Sequence, residues 1–137
     1  LIVGVAAVAD YRPKEVFHGK LRRSGDPLSL ELVPNPDVLA GLTRNSPSAL
    51  AIGFAAEPSQ DLQYAREKLG RKGLWAIAVN DISQSGIGFE ADQNALSLVT
   101  AESAEESGTR SKIGCAVWLL ERAARQLSLT KPLSRSE

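Results

Sequence analysis

The chain has 137 residues, which suits one domain around a single core. Its 43% hydrophobic and 23% charged content is ordinary for a soluble globular protein, and sixteen basic residues cancel sixteen acidic ones, which argues against a broad electrostatic surface for nucleic acid or anionic membrane. No apolar run approaches the ~20 residues of a membrane span, and one cysteine with one histidine excludes both an internal disulfide and a Cys/His zinc site. No basic-then-apolar stretch suggests secretion, and the single cysteine leads us to expect a reducing, cytoplasmic location. There is no methionine, and the chain begins inside an apolar run, so we expect a portion of a longer protein.

Residues 1–9 are small and apolar, and the run stops at Asp10-Tyr11-Arg12-Pro13. It is too short for a helical core segment and reads as a strand buried on both faces. Pro13 disfavours helical geometry at Arg12, so the chain should leave this strand extended. Open α/β sheets bind ligands at the carboxyl ends of their strands, and Asp10 stands at such an end. A central strand with a solvated end is the alternative. The low bulk of Gly4, Ala6 and Ala7 would let a flat ligand approach the backbone. Residues 14–23 carry four bases, and 24–27 close them as a turn. They either face an anion beside Asp10 or form a solvated loop. His18 has no partner nearby in sequence and is assigned no chemistry.

Residues 28–33 alternate apolar and polar, as a strand with one wet face does. Asn35 is then the expected helix N-cap and Pro36 the first helical position, with Asp37 complementing the positive helix end. Capping alone explains these residues, although helix-start amides also suit a nucleotide. Residues 50–57 repeat the design of the first run. A helix follows over 59–72, with Leu62, Ala65 and Leu69 on one face and Gly73 as its C-terminal cap. Lys68 and Lys72 are four apart and project from one side, either as dipole partners or as a polyphosphate clamp.

Residues 74–79 form another buried strand, and 83–88 a loop. The glycines there make neither a dinucleotide nor a P-loop fingerprint, which argues against a dinucleotide oxidoreductase. A last short strand is expected over 95–99 and a polar loop over 103–108. Ser111 should cap a helix reaching about Leu127, with Ile113, Val117, Leu120 and Ala124 as its core stripe. Cys115 on that helix reads as a small core residue, since no base lies near it in sequence. Strands alternating with helices predict a three-layer α/β sandwich.

Together these segments resemble the phosphopantothenate–cysteine ligase (phosphopantothenoylcysteine synthetase) family. The matching pieces are AAVADYRP (6–13), GKLRR (19–23) in place of that family's Lys-x-Lys-Lys strap, LELVPNPDVLA (30–40), GFAAE (53–57), YAREKLGRKG (64–73), AVNDIS (78–83) and GIGFEADQN (86–94). Their order and spacing agree from residue 1 to about residue 122. Arg22 and Arg23 stand where lysines are usual, and Trp75 stands where an aspartate is common.

The resemblance implies a three-layer α/β/α Rossmann-like sandwich truncated at the N-terminus, with 1–128 as a CTP-binding ligase domain and 129–137 as a flexible tail. It implies condensation of 4'-phosphopantothenate with cysteine through an acyl-cytidylate formed from CTP. The CTP site carries over to Gly4, Val5, Ala6, Asp10, Lys20, Asn35, Pro36, Asp37, Val38, Phe54, Lys68 and Lys72. Lys20 is the expected catalytic residue, and Asp10 the candidate metal ligand. Magnesium is the implied cofactor and CTP the co-substrate, with FMN only where a flavin-dependent decarboxylase is fused to the same chain. The implied partners are CTP, 4'-phosphopantothenate, cysteine and a second copy in a homodimer through the strap and the 28–33 strand, with neither nucleic acid nor membrane. Without the family's upstream substrate-binding part, the isolated chain is expected to be inactive. A non-catalytic nucleotide-binding or dimerisation module is the alternative.

Overall fold

The computed structural model describes residues 1–57, 62–81 and 91–130. The expected loop at 83–88, the first residues of the 59–72 helix and most of the expected tail lie outside the described residues.

A five-stranded mixed sheet organises the domain, in the order β1 (Ile2–Gly4), β4 (Ala51–Glu57), β5 (Ala76–Asp81), β7 (Leu96–Thr100) and β8 (Ala104–Glu106). β1, β4 and β5 run parallel, and β7 and β8 are antiparallel to their neighbours. Two short ribbons stand apart: β2 (Tyr11–Pro13) with β3 (Leu32–Pro34), and β6 (Gln93–Asn94) with β9 (Arg110–Ser111). Helices α1 (Val38–Asn45) and α2 (Leu62–Lys72) cover one face, and α3 (Lys112–Thr130) covers the other.

The three layers follow from alternation along the strands. On the α3 face, Ile52, Ala76, Ala78, Leu96 and Leu98 pack with Cys115, Trp118, Leu119 and Ala123. On the opposite face, Ala51, Ile77, Val79 and Val99 pack with Ala65 and Leu69 of α2, with Leu39 of α1 against them. The expected three-layer sandwich is the observed one. The α2 face and its cap also match expectation. Gly73 takes φ +64°, the Leu74 amide reaches back to the Leu69 carbonyl, and the Gly73 amide to that of Gly70, a Schellman ending.

Several expectations need correction. The first run forms a strand only over Ile2–Gly4, half-buried, and Val5 onward is exposed. β1 pairs with β4 alone, so among the described residues it is an edge strand and not a central one. The strand expected over 28–33 is displaced to Leu32–Pro34, because its register is set by pairing with Tyr11–Pro13. The polar loop expected at 103–108 contains β8, an edge strand that borrows its ladder from β7. Ser111 does cap α3, its Oγ accepting from the Gly114 amide, and the helix runs on to Thr130. Its buried stripe is Cys115, Trp118, Leu119 and Ala123, whereas Ile113, Val117, Leu120 and Ala124 are exposed. Cys115 is buried, as expected.

Candidate functional site

The residues after β1 are fastened to the start of α1 by a small polar staple. The Asn35 amide donates to the Asp10 carbonyl at 2.7 Å, and Asn35 Nδ2 donates to the Ala9 carbonyl at 2.7 Å. Arg12 Nη1 donates to both the Pro34 carbonyl and Asn35 Oδ1, each at 3.0 Å. These bonds occupy the Asn35 side chain, so the N-cap falls instead to Asp37, whose Oδ1 accepts from the Ala40 amide at 3.0 Å. Pro36 therefore precedes the helix, and Val38 is its first residue. Arg12 belongs to this site, and the sequence reading passed over it. An arginine ahead of a proline is held extended, and that signal could have marked it as able to reach a neighbouring strand.

Asp37 also joins the two helices on this face. Lys72 Nζ lies 3.1 Å from Asp37 Oδ2, and Thr43 Oγ1 donates to the Lys72 carbonyl at 2.6 Å. The Ala40 amide lowers the Asp37 pKa most, the Lys72 ammonium lowers it further, and partial burial opposes both. Capping and ion pairing thus act on one carboxylate. Lys68 stands one turn earlier, with its ammonium 4.2 Å from the Tyr64 ring centre. Lys68 and Lys72 share a helix side, and the Lys72 charge faces the Asp37 carboxylate.

Gly4 and Gly53 are register partners beneath Leu39. A Cβ at Gly4 would lie 2.9 Å from Leu39 Cδ1, and one at Gly53 would lie 3.3 Å from Leu39 Cδ2. The missing side chain at Gly4 therefore seats α1 and does not open room for a ligand on that side. Val5, Ala6 and Asp10 are exposed beyond it. Phe54 packs toward the α3 cluster, across the sheet from Lys68 and Lys72. A ligand touching all three must lie over the carboxyl end of the sheet. Lys20 sits on the exposed segment between β2 and β3 and makes no hydrogen bond or ion pair among the described residues. The fold thus brings together Gly4, Asp10, Asn35, Pro36, Asp37, Val38 and Lys72, with Lys68 one turn from Lys72 on α2, Val5 and Ala6 following Gly4 directly, and Phe54 on the other face of the sheet.

Comparison with known proteins agrees with the resemblance seen in the sequence. Residues 1–127 match the family described as DNA/pantothenate metabolism flavoprotein C-terminal domain. The coenzyme A biosynthesis bifunctional protein CoaBC of Vibrio cholerae is 45% identical over 107 residues, covering 74% of this chain and 26% of that protein. Its counterpart in Escherichia coli K12 is 42% identical over 102 residues, covering 72% and 25%. The crystal structure of the C-terminal domain of a CoaBC protein superposes with a TM-score of 0.69 at 28% identity, over 93% of this chain and 56% of that one. A DNA/pantothenate metabolism flavoprotein from Streptococcus pneumoniae shares the fold, with a TM-score of 0.68 at 19% identity. The chain spans about a quarter of the length of the two bifunctional relatives.

Proposed function

The chain belongs to the DNA/pantothenate metabolism flavoprotein C-terminal domain family, and from that premise we propose that it is the nucleotide-binding part of a CTP-dependent ligase of coenzyme A biosynthesis. The reaction assigned is the joining of 4'-phosphopantothenate to cysteine. A carboxylate oxygen of 4'-phosphopantothenate attacks the α-phosphorus of CTP, the bond to the pyrophosphate oxygen breaks, and an acyl-cytidylate remains. The cysteine amine then attacks the acyl carbon, the bond to CMP breaks, and the amine releases a proton to solvent. The nucleotide is needed because a free carboxylate is a poor electrophile.

The observation that carries this reading is the junction at the start of α1. There a lysine ammonium, a helix N-terminus and the backbone beyond β1 converge on one side of the sheet. Cations and first-turn amides at such a place suit a polyphosphate. Lys72 would exchange part of its contact with Asp37 for phosphate, and Lys68 would add a second charge from the same helix side. At an effective dielectric of ~20, one contact at ~4 Å is worth about 4 kcal/mol before desolvation is subtracted. Lys20 would stabilise charge building on the phosphates during attack.

Magnesium bound with the nucleotide would neutralise phosphate charge. No group of three His, Cys, Asp or Glu among the described residues forms a metal cage. Nucleotide-borne magnesium needs only one or two carboxylates beside the phosphates. Asp10, exposed and unpaired among the described side chains, fits that need and is the residue to hold it.

The test is pyrophosphate release from CTP and 4'-phosphopantothenate in the full-length protein. Lys20→Gln should abolish release with the fold intact, because an exposed side chain without partners contributes little to stability. Release near the wild-type rate would remove Lys20 from the chemistry. The isolated chain should bind CTP and make no product, since placing the carboxylate in line with the α-phosphate supplies ~7–11 kcal/mol in reactions of this kind.

A further inference from the structure

On the α3 side of the sheet, at the start of β5 and beside the β7–β8 turn, lies a cavity of about 390 Å³. It is on the opposite sheet face from α1 and α2 and at the opposite edge from β1, apart from the nucleotide junction. Its volume is at the low end for ligand sites, so it suits a small molecule and not a nucleotide.

Trp75, Leu98 and Leu129 supply its apolar walls. Trp75 is half-buried and packs on the α3 cluster, which leaves part of its ring facing the cavity. The charged lining divides into a spent pair and an unspent pair. Arg122 donates through Nε to Glu105 Oε1 at 3.0 Å and also through Nη2, while its guanidinium lies 4.3 Å from the Trp118 ring centre. Those contacts fix Arg122 and Glu105 as a rigid floor with no net charge. Glu102 and Arg125 also line the cavity, and neither side chain makes a hydrogen bond or close ion pair among the described residues, the Arg125 charge acting on Glu105 only at longer range. The cavity therefore offers one carboxylate and one guanidinium without close ion pairs, and an indole wall.

We propose that this cavity binds a small zwitterion with an apolar body, an α-amino acid with an aromatic or branched side chain. Its carboxylate meets Arg125, its ammonium meets Glu102, and its side chain lies against Trp75. A molecule bearing only one of the two charges makes only one of the two charge-assisted contacts. Charge-assisted bonds at both ends give the preference for the zwitterion.

The test is a titration of the chain with L-phenylalanine, phenylacetate and phenethylamine, followed through the two indole N–H resonances. Trp75→Phe assigns the resonance that belongs to the cavity. L-phenylalanine should shift the Trp75 signal saturably and bind about tenfold or more tighter than either single-charge analogue. Arg125→Gln and Glu102→Gln should each weaken it by about tenfold. Both residues are exposed, so the variants keep their fold. Equal binding of all three compounds, indifference to both substitutions, or an unmoved Trp75 signal at concentrations on the order of 10 mM would overturn the proposal.

Discussion

The sheet and the segment between its first two parallel strands are built on opposite principles. Ile52, Ala76, Ala78, Val99 and Ala123 have 0% exposure, held from both faces by helices. Every residue from Val5 to Leu32 is exposed, including Val16 at 77%, Phe17 at 63% and Leu28 at 68%. That segment keeps its course through the β2–β3 ladder, the Asn35 staple and the Lys14–Glu31 pair. Packing specifies the platform, and hydrogen bonds at its base specify where the strap starts and returns. An exposed apolar surface of this kind asks for a cover. We propose that a second copy of the chain supplies it, forming a homodimer in which Lys20 acquires its working position.

The sharpest way to break this contrast is to truncate one apolar residue in each region. Ile52→Ala should cost ~2–5 kcal/mol in urea unfolding, because it removes transfer energy and leaves a cavity in a site that cannot collapse. Phe17→Ala should leave monomer stability within about 0.5 kcal/mol and should instead weaken self-association in sedimentation. A large loss of stability from Phe17→Ala would show that the strap packs on its own domain.

Asp37 lies at the boundary of the two regions, and its effect should be intermediate. Asp37→Ala removes the α1 cap and the Lys72 pair, so a loss of about 1 kcal/mol is expected in thermal or urea melts. The sign with pH is fixed by the lowered pKa. Protonated Asp37 loses its bonds, so its contribution is present above the unfolded value of 3.8 and disappears as pH falls through the lower folded value. Glu105 behaves likewise below its ordinary 4.5, chiefly through its Arg122 hydrogen bonds. Unfolding measured from pH 5 downward, a range set by these carboxylates, should show a shallower acid loss in Asp37→Asn than in the wild type. An unchanged slope would mean that the Asp37 contacts do not persist in solution.

The smallest effect belongs to the Lys14–Glu31 pair, bonded through both carboxylate oxygens at 2.9 Å but exposed on both sides. Lys14→Ala should cost no more than ~1 kcal/mol, and the loss should shrink further in high salt. A larger loss would raise the strap from tethered to structurally integral.

What the sequence disclosed follows the same division. β4, β5, α2 and the Gly73 ending were legible because local pattern and tertiary burial agree there. β8 was not, since Ala104, Glu105 and Glu106 carry no strand signal and are ordered by β7 beside them. The α3 stripe was misjudged because that helix is apolar on two sides. The side that turns inward is the one whose Cys115, Trp118, Leu119 and Ala123 pack with Ile52, Ala76, Ala78, Leu96 and Leu98 of the sheet. Asn35 was the expected cap, and the role falls to Asp37 because Arg12, from another strand, and the Ala9 carbonyl occupy the Asn35 side chain. The Lys72–Asp37 pair is a contact between two helices and leaves no trace in local spacing.

We propose that the junction of β1, the 34–37 turn, α1 and α2 holds the triphosphate of CTP. Calorimetric titration of the chain in magnesium-containing buffer with CTP, ATP and CMP tests it most directly, with Lys68→Ala and Lys72→Ala run alongside. CTP should bind saturably and more tightly than ATP, and the lysine substitutions should weaken CTP more than CMP. CTP and ATP binding alike, or losses equal for CTP and CMP, would contradict it.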